Sequence, residues 1–208
     1  MKLSKRQKDI LCGMILGDAY LQKMRGGNAR LRLEQSYKQK DYMDWKYKML
    51  SNVFASVPNF LQRVHPKTKR TYKYVRLQSN SSPVLGKMRD QFYNKDGKKI
   101  VPKQIEQILE SPLTIAVWYM DDGYYDKRDK SAHIYVQAWP PEELDRLACA
   151  FGQHNIAPKW YCRPDRRACQ LNFTGQNKDN LMELIHPYLI ESMRYKTPLD
   201  PVTTKNEN

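Results

Sequence analysis

Two stretches of this 208-residue chain run through the same order of elements, and that repetition constrains the fold more than any other feature. In the first, Ile10, Leu11, Met14, Ile15 and Leu21 recur at helical spacing over Lys5 to Tyr20, with Ser4 as N-cap, and the helix ends near Asp18. After the Gly26-Gly27-Asn28 turn, Leu31 and Leu33 alternate with Arg30, Arg32 and Glu34 across Ala29 to Ser36, a half-buried strand with a polar outer face. Helical spacing returns from Lys40 to Phe54 through Tyr42, Met43, Tyr47, Leu50, Val53 and Phe54. Arg70 to Ser79 alternates again, with Val75 and Leu77 opposite Tyr74, Arg76 and Gln78, and a helix runs from about Ser82 to Phe92.

The second stretch opens with the apolar segment Pro112 to Asp122. A strand over Ser131 to Ala138 sets Ile134 and Val136 against His133, Tyr135 and Gln137, and Pro141 with Glu142 and Glu143 opens a helix through about Gln153. Lys159 to Arg163 and Ala168 to Phe173 read as a hairpin across Pro164-Asp165-Arg166, and a last helix covers Lys178 to Leu189. Lys98-Lys99-Ile-Val-Pro102 closes the first stretch and Tyr195-Lys196-Thr-Pro198 the second; Asp18 to Lys99 is 81 positions and Asp122 to Lys196 is 74. Two copies of one α+β unit are expected, spanning 1–102 and 112–208 with a linker at 103–111.

Composition supplies the partner. The 36 Lys and Arg against 22 Asp and Glu leave a net charge of +14, a self-repulsion that an anionic partner such as nucleic acid relieves. With 40% hydrophobic and 11% aromatic residues the chain can build a core, and a mean hydropathy of −0.80 without a long apolar run excludes a membrane-spanning helix. Cys12, Cys149, Cys162 and Cys169 include no Cys-x-x-Cys pair, so neither a zinc ribbon nor a dense disulfide framework is indicated. Reduced, mostly buried thiols are expected, as suits an intracellular protein of a bacterial cytoplasm or an organelle matrix. Asp18 interrupts the apolar run that follows the basic start, so no signal peptide is read and the mature chain is taken to begin at Met1.

The chemistry is expected where the copies correspond. Leu11-Cys-Gly-Met-Ile-Leu-Gly-Asp18-Ala19 spaces Gly13 and Gly17 on one helix face, where another backbone can approach, and leaves Asp18 at the helix end. Ile115-Ala-Val-Trp-Tyr-Met-Asp-Asp122-Gly123 puts Asp122 at the same end, with Gly123 able to supply a left-handed cap. The helix dipole already places partial negative charge there, so two carboxylates at equivalent ends need a reason. A divalent cation supplies one: hard oxygen ligands suit Mg²⁺, with DNA phosphates and water completing its shell.

These segments resemble the LAGLIDADG homing endonucleases in their single-chain, two-motif form. Leu11 to Ala19 and Ile115 to Gly123 occupy the motif's nine positions, and Gly-Asp-Ala-Tyr at 17–20 with Trp-Tyr-Met-Asp-Asp-Gly at 118–123 are similar to variants in the yeast mitochondrial intron-encoded branch. The resemblance extends to Tyr37-Lys38-x-Lys40-x-Tyr42-Met43-Asp44, to Lys98 through Pro102, and to Pro187 through Pro198. Val117 departs from the family's small residue, Leu16 and Met120 from its first acidic one, and Ala19 from its final glycine. The resemblance implies an α+β fold of two pseudo-symmetric αββαββα units, joined by the motif helices, each laying a curved antiparallel sheet along DNA. It implies hydrolysis of one phosphodiester per strand across the minor groove, leaving 3′ overhangs. Asp18 and Asp122 would hold Mg²⁺, and Lys99 and Lys196 would stand as the basic residues near the scissile phosphates.

A two-stranded ribbon fits the major groove, where Arg reads guanine and Asn or Gln reads adenine. The candidate base readers are Arg30, Arg32, Glu34, Tyr74, Arg76, Gln78, His133, Tyr135, Gln137, Tyr161, Arg163, Gln170 and Asn172. Lys67, Lys69, Arg70, Arg128, Lys130, Arg166 and Arg167 are expected in loops, neutralising phosphates, and the four tryptophans in packing. Two halves this different imply a long, asymmetric double-stranded DNA target bound by a monomer. Intron RNA, handled by a maturase, or a non-cleaving DNA-binding regulator is the alternative, and an intein is disfavoured because the chain lacks the starting nucleophile that splicing requires.

Overall fold

The computed structural model describes residues 2–137, 139–164 and 168–198. Ala138 of the expected strand, and Asp165, Arg166 and Arg167 of the expected hairpin turn and basic loop, lie outside the described residues. The first stretch folds as α1 (Lys5–Leu16), β1 (Tyr20–Lys23), β2 (Ala29–Ser36), α2 (Lys40–Met49), β3 (Asn59–Val64), β4 (Thr71–Gln78) and α3 (Pro83–Phe92). After α4 (Ile105–Leu109), whose Ile105 and Leu109 are buried, the second gives α5 (Pro112–Asp122), β5 (Gly123–Asp126), β6 (Ser131–Val136), α6 (Pro141–Cys149), β7 (Lys159–Cys162), β8 (Cys169–Phe173) and α7 (Gly175–Ile185). The order αββαββα thus occurs twice, and the strands form two four-stranded antiparallel sheets, β1-β2-β4-β3 and β5-β6-β8-β7. No helix among the described residues is long and apolar enough to cross a membrane.

The registers superimpose the copies residue by residue. Tyr20, two positions after Asp18, pairs with Arg32; Tyr124, two positions after Asp122, pairs with His133. Leu31 and Leu33 of β2 and Val75 and Leu77 of β4 turn inward, as do Ala132 and Ile134 of β6 and Leu171 and Phe173 of β8, against a core that also takes up α1, α5 and α7. Alternation along β2, β4, β6 and β8 carries the polar residues to the opposite face of each sheet.

Several expectations change, among them the helix from Pro141, which ends at Cys149, and the last helix, which runs from Gly175 to Ile185. The strands β1, β3 and β5 carry no hydrophobic alternation: β1 and β5 are four residues long, and β3 is an outer ribbon strand with almost every side chain exposed. Helix α2 stops at Met49, yet Val53 and Phe54 keep their buried places because the chain turns back through Val53 and Phe54 N–H bonds to the Leu50 carbonyl. Gly123 is extended (φ −81°, ψ 154°) and starts β5; its lack of a side chain matters for space, since a Cβ there would lie 2.5 Å from the Tyr119 ring. The cysteines are not uniformly reduced and buried. Cys162 and Cys169 face each other across β7 and β8 and form a disulfide, Cys149 is exposed, and only Cys12 is a half-buried thiol, pushed up to about 12 by burial.

The two copies meet along α1 and α5. Their approach is fixed by glycine: a Cβ on Gly13 would lie 2.5 Å from the Thr114 carbonyl oxygen and 2.8 Å from Val117 Cβ, and one on Gly17 would lie 2.6 Å from Asp121 Cβ. Val117, the larger residue in place of the family's small one, therefore fits because Gly13 faces it. Tyr42 of α2 donates to the Val117 carbonyl at 3.1 Å, and Thr114 Oγ1 donates to the Asp9 carbonyl at 3.1 Å, so polar contacts reinforce this crossing. Gly13→Ala is expected to cost about 1–3 kcal/mol by forcing the helices apart. Gly152→Ala, where a Cβ would meet nothing within 4 Å, should change stability by less than about 0.5 kcal/mol; urea unfolding of both variants measures the difference.

Candidate active site at the paired helix ends

Both motif helices end at the middle of the molecule with a carboxylate and a lysine in matched positions. Lys99, which follows α3 and the bridge between Tyr93 and Lys99, donates from Nζ to the Gly17 carbonyl at 2.6 Å. Lys196 donates from Nζ to the Asp121 carbonyl at 2.8 Å and the Met120 carbonyl at 2.7 Å. Gly17 and Asp121 are the residues immediately before Asp18 and Asp122, so each ammonium sits on the carbonyl preceding its carboxylate. Each lysine is itself held by an aromatic donor, Trp139 Nε1 to the Lys99 carbonyl at 2.9 Å and the Tyr119 hydroxyl to the Lys196 carbonyl at 2.8 Å. Cations there answer the negative ends of both helices. Burial lowers the pKa of both ammonium groups, and Asp18, Asp121 and Asp122 oppose that shift.

The carboxylates are less alike than their spacing suggests. Asp18 is exposed, whereas Asp122 is half-buried and pushed up to about 7 by burial and by the negative charge of Asp121 and Asp18. Between them lies Asp121, whose side chain is fully buried in the space that Gly17 leaves open. Lys46 of α2, equally buried, donates to Asp121 Oδ1 at 2.6 Å and to Gln35 Oε1 at 3.3 Å; Gln35 Nε2 in turn donates to Asp18 Oδ2 at 3.0 Å and to Asp121 Oδ1 at 3.3 Å. The Asp18 N–H donates to Asp121 Oδ2 at 3.4 Å, and the Tyr42 ring lies 4.0 Å from the Lys46 ammonium. Burial raises the Asp121 carboxyl and Lys46 opposes the rise.

Lys46, Gln35 and Asp121 are additions that the motif reading did not single out. Two of them left a trace in the sequence. Gln35 occupies an inward position in the alternation of Leu31 and Leu33, and Lys46 falls on the buried stripe of Tyr42, Met43 and Leu50. A polar residue on a core-facing position has to be paired, and here both are.

The donor set suits a hard divalent cation: exposed and half-buried carboxylates whose own lysines are spent on carbonyls, leaving the oxygens of Asp122 short of positive charge. Among the described residues no three His, Cys, Asp or Glu side chains are grouped to hold a metal.

The expected base readers separate into groups. Arg30, Arg32, Glu34, Tyr74, Arg76 and Gln78 share the outer face of the first sheet, and an open groove lined by Asp18, Tyr20, Arg32, Glu34 and Arg76 leads along it from the helix end. Glu34 is not a free reader: it accepts from Arg63 Nη1 at 2.6 Å and Nη2 at 2.9 Å, and from Arg76 Nη2 at 2.7 Å and Nε at 3.0 Å. These bonds hold its carboxyl below the usual range against the opposing effect of burial, and they bring in Arg63, which lay on a strand without a sequence signature. His133, Tyr135, Tyr161, Gln170 and Asn172 share the outer face of the second sheet. Gln137 and Arg163 lie just beyond β6 and β7, both exposed. Lys67, Lys69 and Arg70 sit at the tip between β3 and β4, and Arg128 and Lys130 at the tip between β5 and β6.

Removing one partner of the buried pair strands the other charge, so Lys46→Met is expected to destabilise the chain by about 3–5 kcal/mol. Adding Asp121→Leu should restore most of that loss, and a double-mutant cycle from chemical unfolding checks it.

The model of the LAGLIDADG DNA endonuclease family matches residues 8–181. Among curated relatives, a Protein RecA of Mycolicibacterium chitae is 28% identical over 94% of this chain and 47% of its own length, so the chain spans about half of that relative. A probable intron-encoded endonuclease of Wickerhamomyces canadensis is 25% identical over 93% of this chain and 84% of the relative, and a cytochrome b mRNA maturase of Debaryomyces hansenii 25% over 93% and 74%. Among solved structures, the homing endonuclease I-WcaI bound to its DNA recognition sequence has the same fold, with a TM-score of 0.84 and 24% identity over 94% of this chain and 87% of that one. A family model that covers most of the chain, a fold shared throughout, and two motif copies in matched registers leave one assignment: this chain belongs to the LAGLIDADG DNA endonuclease family.

Proposed function

We propose that the chain is a site-specific endonuclease that binds a long, asymmetric DNA duplex as a monomer and hydrolyses one phosphodiester in each strand, leaving 3′ overhangs. The observation that carries this reading is the pair of helix ends, each with its carboxylate and its lysine on the preceding carbonyl, set between two sheets with polar outer faces. Asp18 and Asp122 would hold Mg²⁺, which when bound supplies Lewis-acid polarisation of the phosphate and an activated water. Gln35 donates to Asp18 Oδ2 and so fixes the orientation of a carboxylate that lines the groove. Lys99 and Lys196 place positive charge beside the reacting phosphates, where negative charge grows in the transition state. The similarity to a maturase gives RNA binding as a second reading, and retention of both carboxylates favours cleavage.

Selection from a randomised duplex library with Mg²⁺ should yield a cleaved target. Asp18→Asn and Asp122→Asn should each lower double-strand cleavage about a hundredfold or more; unchanged cleavage in either variant overturns the assignment of the carboxylates. Acidity gives a separate check. With its carboxyl raised to about 7, Asp122 is mostly protonated at about pH 6, and a proton and a metal ion compete for it. The Mg²⁺ concentration for half-maximal cleavage should therefore fall as pH rises from about 6 to about 8. In the metal-free chain the sign reverses: a carboxyl raised on folding favours the folded state at low pH, so this group's contribution to stability is lost as pH climbs from about 4 through about 7.

A further inference from the structure

We propose that the two halves of the target differ in base composition, with guanine-bearing pairs under the first sheet and A·T pairs under the second. This inference rests on the reading of the chain as a DNA-binding protein of the proposed kind and adds what it recognises.

Because Tyr20 pairs with Arg32 where Tyr124 pairs with His133, the outward positions of β2 and β4 within these registers have counterparts in β6 and β8. Arg30 corresponds to Ser131, Arg32 to His133 and Glu34 to Tyr135; across the central pairings, Arg76 corresponds to Gln170 and Gln78 to Asn172. Where these central strands carry Arg30, Arg32 and Arg76 in the first sheet, the second carries a buried hydroxyl, an imidazole and an amide. The substitution is systematic, and it changes which base edges each sheet can satisfy. A guanidinium fork donates to the O6 and N7 acceptors of guanine, whereas a carboxamide both donates and accepts, which is what adenine N7 and N6 require.

Local contacts reinforce the contrast. In the first sheet, Glu34 grips Arg63 and Arg76 together, which fixes the guanidinium planes before DNA arrives and removes part of the ordering cost of a bidentate contact. In the second sheet, Asn172 Oδ1 accepts from Gln170 Nε2 at 2.7 Å and lies 2.7 Å from His133 Nδ1, while His133 Nε2 lies 2.8 Å from Ser131 Oγ. The Tyr124 ring stacks on His133 at 4.6 Å and on Tyr135 at 5.2 Å. The face of β6 and β8 is therefore a hydrogen-bonded layer of amides and ring edges, suited to adenine hydrogen bonds and to the thymine methyl group, with the exposed Arg163 at its edge just beyond β7.

The test is a binding selection of the full chain on a randomised duplex library without Mg²⁺, followed by sequencing of the bound pool. One half-site enriched in guanine and the other in A·T pairs is expected. Arg32→Ala and Arg76→Ala should each relax preference about 10-fold to 100-fold at positions of the guanine-rich half alone, and Gln170→Ala and Asn172→Ala at positions of the A·T half alone. Half-sites of equal composition, arginine variants that relax the A·T half, or variants that weaken all sequences uniformly would each overturn the proposal, the last because it marks phosphate contacts. The endonuclease reading fails separately: adding Mg²⁺ to the selected duplex without cleavage refutes it while leaving the two-composition target intact.

Discussion

The close crossing of α1 and α5 is the constraint from which the rest of the molecule follows. Gly13 and Gly17 let the helices approach until backbone meets side chain, and that approach brings two helix C-termini and three carboxylates into one small volume. Such a concentration of negative charge is unfavourable by helix dipole and by like-charge repulsion alike. Three lysines answer it in two different ways. Lys99 and Lys196 neutralise the helix ends through their carbonyls and leave the carboxylates of Asp18 and Asp122 unclaimed, while Lys46 is buried and bonded directly to Asp121. The division matters: a lysine on the carbonyl lowers the local potential without filling the coordination space of the acid beside it.

Duplication explains the skeleton and not the decoration. Gln35, which orients Asp18, corresponds in register to Val136, so Asp122 has no matching amide from its own sheet. Lys46 likewise comes from the first copy and closes on an acid of the second, making the pair a bond between the halves. The two helix ends are therefore geometrically equivalent and chemically distinct: one acid is exposed and oriented, the other half-buried and raised to about 7. The same divergence runs outward into the sheets, where arginines on one face have neutral counterparts on the other.

The sequence carries those parts of the fold whose burial is periodic. Strands β2, β4, β6 and β8 have one face in the core, so alternation shows them, and the helices show their apolar stripes. Strands β1, β3 and β5 lack that signature, because the first and last are short continuations of the motif helices and β3 projects beyond the core. Asp18, Asp122, Lys99 and Lys196 were legible because duplication marks them twice. Gln35, Lys46 and Asp121 occur once, and their partners lie 11 to 103 positions away, so only folding brings them together. The Cys162–Cys169 pairing was hidden for a different reason: it depends on hairpin register rather than on cysteine spacing.

The proposed cleavage would require phosphates to be drawn toward carboxylates that repel them, and the surplus of +14 bears on that requirement by its position as much as its size. The basic hairpin tips, with Lys67, Lys69 and Arg70 in one copy and Arg128 and Lys130 in the other, lie at the far ends of strands whose near ends border the acids. Attraction at the periphery can then hold the duplex down while the centre keeps its acids free, because surface charges separated by more than about 10 Å are largely screened from one another in salt. Were the same lysines placed beside Asp18 and Asp122, they would pair with the carboxylates and occupy the sites a metal needs. Peripheral binding and central chemistry are thus compatible only when separated along the strands, and the strand length of the ribbon supplies that separation.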